Sequence, residues 1–188
     1  MSQLQEILAF NEKFLEDKAY EPFKTDKFPN KKLVVLSCMD TRLTELLHKA
    51  MNLKNGDAKI IKNAGAMVID PYESAMKSIL VALYQLKAEE VIIVGHYGCG
   101  MTGLTGEKML ESMRARGISD ENINEVKASG VDLNKWLSGF TSVEESVKAS
   151  VKTVKNHPML PKNTRVHGLV IDPETGKLDV VIEDHLES

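Results

Sequence analysis

Two cysteines, one histidine, one aspartate and one arginine stand where the sequence can be expected to do chemistry. Cys38 and Cys99 are the only cysteines in 188 residues. Cys99 lies in Gly95-His96-Tyr97-Gly98-Cys99-Gly100, and Cys38 opens Cys38-Met39-Asp40-Thr41-Arg42. One imidazole and two thiolates make a ligand set that Zn2+ accepts while keeping a fourth position open. Soft sulfur ligands select against magnesium and calcium. The H-x-x-C spacing puts both side chains on one short loop, and the flanking glycines let that loop turn tightly. An open position admits a water whose pKa a catalytic zinc lowers to roughly 7. Asp40 could ligate the metal or take a proton from that water, and Arg42 could pair with Asp40 and hold it away. The plainer readings are two small core residues and an exposed ion pair contributing ~0–1 kcal/mol.

These residues need elements to position them. Lys32 to Ser37 is a short apolar β-branched run without alternation, as a strand buried on both faces reads, and Lys59 to Lys62 and Val91 to Val94 read as two further short strands. Helical spacing of apolar residues predicts helices over 3–17, 41–51, 70–87, 104–116 and from 143 to Pro158. Asp70-Pro71-Tyr72-Glu73 has the composition of a helix start, with Asp70 as N-cap, and Ser142 to Glu145 that of a capping box. The stretch 117–141 is polar and yields no firm element. Val166 to Ile171 and Leu178 to Ile182 read as strands joined by a turn at Asp172 to Gly176, and so antiparallel to each other. The expected fold is α/β: one domain over 1–188, a mostly parallel central sheet flanked by helices, and an antiparallel C-terminal strand. Ligands of such sheets bind beyond the carboxyl ends of strands where strand order reverses. Three strands run directly into Cys38, into Asn63-Ala64-Gly65-Ala66 and into His96. If the first and third are neighbours, the metal donors meet in one crevice.

Bulk properties exclude several classes. The net charge is -3, so there is no basic surplus for nucleic acid or an anionic membrane. Aromatic residues are 5%, too few for base-stacking platforms. No apolar run is long enough for a transmembrane helix, and the N-terminal residues lack the pattern of a signal peptide. A cytoplasmic location is expected. In that compartment two cysteines point to metal or catalysis rather than a disulfide. No G-x-G-x-x-G or G-x-x-x-x-G-K-[ST] motif supports a nucleotide site.

At Cys38-Met39-Asp40-Thr41-Arg42 and His96-Tyr97-Gly98-Cys99 the chain resembles the β-class carbonic anhydrases. Gly56 to Gly65, Ile92 to Met101 and Val166 to Asp172 carry the likeness further, nearest to the short, archaeal-type branch. The resemblance implies reversible hydration of carbon dioxide to bicarbonate by zinc-bound hydroxide. It implies Cys38, His96 and Cys99 as ligands, Asp40 orienting or deprotonating the water, Arg42 pairing with Asp40, and Ala64 and Gly65 lining the substrate pocket. It also implies a homodimer or dimer-based tetramer, with residues 1–25 as a helical arm over the partner subunit. Ala66 and Gly98 depart from the family pattern, which often has Asn and a polar residue there. Two rival readings keep the same fold: a hydrolase of carbon disulfide or carbonyl sulfide, and a non-catalytic zinc-holding bicarbonate binder.

Overall fold

In the computed structural model, which describes residues 2–185, β1 (Leu33–Cys38) is an interior strand of the sheet with all six residues buried. On one side it pairs in parallel with β2 (Ala58–Asn63) and on the other with β3 (Glu90–His96). β4 (Arg165–Ile171) continues in parallel beside β3, and β5 (Leu178–Ile182) closes the edge antiparallel to β4. The order β2-β1-β3-β4-β5 matches the fold expected from the sequence. The chain leaves β1 toward one edge and returns to its other side. The reversal therefore falls between β1 and β3, which end at Cys38 and His96.

α2 (Leu43–Ala50) buries Leu43 and Leu47 against Leu33, Val35 and Val94 on one face of the sheet. α3 (Ser74–Gln85) and α7 (Val143–Lys155) cover the other, placing Met76, Ile79 and Val147 against Val34, Leu36 and Ile93. α7 lies so close that a Cβ at Gly95 would meet the Val143 and Val147 methyls, and one at Gly168 those of Val147 and Val151. Glycine is needed there for space. The capping box read at Ser142 stands in part: its hydroxyl accepts from the Glu145 N–H.

α3 starts later than the sequence suggests. Asp70 accepts from the Tyr72 N–H at 2.7 Å, and Glu73 is the N-cap. The Asp70 side chain forms a local turn that competes with helix, so Pro71 sits in that turn and not at N1. The end comes early as well. Lys87 has φ +59° and the Ala88 N–H reaches back to the Ala82 carbonyl, a left-handed cap made without glycine. The polar stretch 117–141 contains α5 (Asp120–Ala128) and α6 (Leu133–Leu137). With α4 (Gly106–Ala115) they enclose a small core of Leu110, Ile123 and Leu133. α5 and α6 each bury a single apolar residue, Ile123 and Leu133, too few for periodicity to reveal them.

α1 (Gln3–Glu16) has a complete capping box between Ser2 and Gln5, yet buries no residue. Its apolar side is exposed, with Phe10 at 70% and Leu4 at 64%.

The C-terminal segment is tied to β4 by Asp184. Its carboxylate accepts from the Val166 N–H at 3.0 Å and pairs with Lys155 of α7, with its side chain 8% exposed. Burial alone would raise its pKa, but the Lys155 ammonium and the Val166 N–H outweigh burial and leave it lowered. Stability from this group is therefore present above the ordinary carboxylate pKa and lost as pH falls through the depressed folded value. Asp184→Ala should destabilise by about 1–3 kcal/mol near neutral pH. Urea midpoints should show that difference shrinking as pH drops below about 4.

Candidate metal centre

The end of β1 delivers Cys38, the end of β3 delivers His96, and the turn after β3 delivers Cys99. All three are buried, at 4%, 1% and 6% exposure. Their donor atoms lie within 4.8 Å of one another. The sulfurs are 3.9 Å apart. Two thiolates bound tetrahedrally at Zn–S ≈ 2.3 Å would sit about 3.8 Å apart, so the bite fits without rearrangement.

His96 is oriented for the same role. Its Nδ1 lies 2.9 Å from the Tyr97 carbonyl, a contact that requires the proton on Nδ1. Its Nε2 is then left with a free lone pair, and that buried atom has no hydrogen-bond partner. An orphaned buried nitrogen is costly unless something binds it, and a cation between the sulfurs would. Electrostatics agree. Burial pushes the Cys38 thiol up, but the adjoining His96 imidazole and the Gly65 and Asp40 N–H groups leave it lowered. Burial raises Cys99, and the Cys38 sulfur adds to that. Two thiolates at this separation repel, and a dication removes the conflict by stabilising both.

Asp40 lies one short turn beyond. Arg42 grips it with Nε to Oδ1 at 2.9 Å and a terminal nitrogen to Oδ2 at 2.8 Å, and the Arg42 N–H adds a third bond to Oδ1 at 2.9 Å. The guanidinium also donates to the Gly98 carbonyl at 3.1 Å, so it bridges the two loops that carry the candidate donors. Hydrogen bonding from Arg42 holds Asp40 well below the usual carboxylate range, and the same bond raises Arg42. Asp40 Oδ2 is 3.7 Å from His96 Nε2. The carboxylate is thus beside the donor set but committed to arginine.

The loop after β2 completes the surround. Ala64–Ala66 form a single 3-10 turn, with Gly65 at φ +77° and Ala66 at φ +56°. The left-handed backbone at Gly65 aims its N–H at the Cys38 sulfur, 3.4 Å away. Asn63 clasps the turn, accepting from the Met67 N–H at 3.1 Å and donating to the Met67 carbonyl at 2.7 Å. Ala64 is half-buried beside it. Asn63 as clasp was not singled out by the sequence reading, though a short amide before Ala-Gly-Ala is the available signal. His167 is not among the donors: it contacts Glu90 and accepts from the Asp184 N–H. A separate cavity of about 640 Å3 lies between α2 and β2 and is lined by none of the three donors.

Comparison with known proteins agrees with this arrangement. The family described as Carbonic anhydrase matches residues 33–178. "Putative carbonic anhydrase YvdA" of Bacillus subtilis is 60% identical over 98% of this chain and 94% of its own length. A carbon disulfide hydrolase of Acidithiobacillus thiooxidans is 30% identical, covering 94% of this chain and 83% of its own. The crystal structure of β-carbonic anhydrase isoform I from Trichomonas vaginalis superposes with a TM-score of 0.90 at 36% identity, covering 98% of this chain and 100% of that one. Among the described residues, no helix is long and apolar enough to cross a membrane.

Replacing Cys99 by Ala removes one sulfur and leaves a His–Cys pair too sparse for tight binding. Metal analysis of the purified variant should show loss of stoichiometric zinc, with the wild type near one ion per chain.

Proposed function

The chain belongs to the β-class carbonic anhydrases, and on that premise we propose that it catalyses the reversible, zinc-dependent hydration of carbon dioxide to bicarbonate and a proton. The observation that carries the proposal is the pairing of a three-donor S2N set with a carboxylate held off it by arginine. Cys38, His96 and Cys99 would hold zinc, whose Lewis acidity makes hydroxide available near neutral pH. Asp40 is ionised and, with its orientation set by Arg42, can accept a hydrogen bond from the attacking water and turn a lone pair toward the substrate carbon. Arg42 keeps that carboxylate from becoming a fourth ligand. Ala64 and Gly65 form the near wall of the substrate space, beside the Cys38 sulfur.

The sulfur-substrate reading has its own support, since carbon disulfide hydrolases are among the relatives and carbonyl sulfide and carbon disulfide are linear and apolar like carbon dioxide. A zinc-holding bicarbonate binder would put Asp40 on the metal, and the bidentate Arg42 contact speaks against that. Stopped-flow measurement with each gas separates the three. We expect carbon dioxide hydration that needs zinc and rises from about pH 6 to about pH 9. Turnover of sulfur substrates alone, or of none at one zinc per chain, would overturn the assignment. Arg42→Ala should lower kcat/KM about 10- to 100-fold at unchanged zinc content, the equivalent of ~1.5–3 kcal/mol for hydrogen bonds to a charged group.

A homodimer, or a dimer-based tetramer, is part of the same proposal, as are the cytoplasmic setting and the short, archaeal-type branch. Two free thiols suit a reducing compartment. α1 presents Leu4, Ile7, Leu8 and Phe10 to solvent and packs none of them on its own domain. Meanwhile the α2 face of the sheet leaves Ile92, Leu169 and Leu178 only partly covered. The arm (residues 1–25) reaching over a second copy would bury its apolar side. Light scattering after size exclusion should give at least twice the chain mass, and Ile7→Asp with Phe10→Asp should reduce it toward the monomer.

A further inference from the structure

We infer that Phe140 is a positioning residue for the metal centre, a wedge that keeps the two sulfur donors at metal-binding separation. It lies far in sequence from every ligand, just before α7, in a stretch whose composition suggests nothing. Its backbone is sewn to the loop that carries Cys99. The Phe140 N–H donates to the Met101 carbonyl at 3.2 Å, the Gly103 N–H donates to the Phe140 carbonyl at 2.8 Å, and the Thr102 N–H donates to the Cys99 carbonyl at 3.0 Å. The approach is tight enough that a Cβ on neighbouring Gly139 would overlap the Met101 carbonyl.

Its ring reaches the other loop. A Cβ placed on Gly65 would lie 3.0 Å from Phe140 Cε1 and 3.0 Å from Met67 Sδ. The ring therefore occupies the space beside Gly65 that a side chain would take. Gly65 is the residue whose N–H points at the Cys38 sulfur. Phe140 packs against both core clusters, one of which contains Cys38 and Cys99. One side chain thus links the Cys99 loop through its backbone with the Cys38 environment through its ring. Met67, whose backbone the Asn63 clasp holds, fills the rest of the space beside Gly65.

Without the ring, the Gly65 turn gains room to move away from the sulfur. The N–H bond to Cys38 lengthens, and the thiolate loses a donor that tunes its charge. Groups that orient a ligand in this way typically account for 10- to 100-fold in metal affinity. The inference rests on the Cys38–His96–Cys99 site and is independent of which gas the enzyme hydrates.

The test uses the full chain and two readouts besides activity. Zinc affinity is measured by competition with a chromophoric chelator, and the thiolate-to-metal charge-transfer bands are recorded after Co2+ substitution. Phe140→Ala should bind zinc about 10- to 100-fold more weakly and shift the cobalt bands. Phe140→Leu, which keeps an apolar branched group in the gap, should recover most of both. Val151→Ala, a change on the buried face of α7 away from the site, should lower stability yet leave affinity and spectrum as in the wild type. Zinc affinity within twofold and an unchanged cobalt spectrum in Phe140→Ala would overturn the inference. If Phe140→Ala does not fold, Phe140→Val, too short to reach Gly65, decides: zinc binding weakened more than twofold supports the wedge, and affinity within twofold of the wild type overturns it. Wild-type chain that binds no zinc would instead sink the metal site itself.

Discussion

Parallel pairing of β1 with β3 is the interaction on which the rest of the structure depends. Registering Ser37 against Val94 sets the two strand ends side by side, so Cys38 and His96 leave the sheet within one residue of each other. A sulfur and an imidazole brought out of water together are unfavourable unless they share a partner, and the turn after β3 adds the second sulfur. Each requirement of the site traces back to that register. A slip of one residue would turn every side chain of β1 to the opposite face and disperse the donors.

Around this core the molecule divides ligation from restraint. The donors come from rigid strand ends and one glycine-bordered turn. Restraint comes from residues that bind nothing themselves: Arg42 on Asp40 and Gly98, Asn63 on Met67, and the Tyr97 carbonyl on His96. The departures from the family pattern fit this scheme. Gly98 has φ +62° and contributes its carbonyl to Arg42, so backbone does the work there. Ala66 is 1% exposed in a left-handed conformation held by the Asn63 clasp around the turn. Holding a non-glycine residue there costs of order 1 kcal/mol or more, so the surrounding contacts must over-determine it.

The helical excursion from α4 to α6 has its own small core and returns to the sheet at Phe140. It closes a bond pattern between the loop after β3 and the start of α7, a connection of non-local contacts. Such contacts carry no period and no motif. They exist because two surfaces meet, and the sequence shows only a glycine and a phenylalanine in a polar stretch.

The sequence by itself determined the ligand types, the two motifs and the alternation of buried strands with helices. These are local properties: donor chemistry belongs to a side chain, and a strand buried on both faces is written in its own residues. Strand neighbours, by contrast, are a property of the whole chain. Only the tertiary structure decided that β1 sits between β2 and β3, that Cys38 and Cys99 stand 3.9 Å apart, and that Asp40 is turned to Arg42. Only it moved the start of α3 from Asp70 to Ser74, where a side-chain turn competed with a helical cap. It alone brought Phe140 against Gly65, because packing between segments distant in sequence is settled by shape and burial once the sheet has formed.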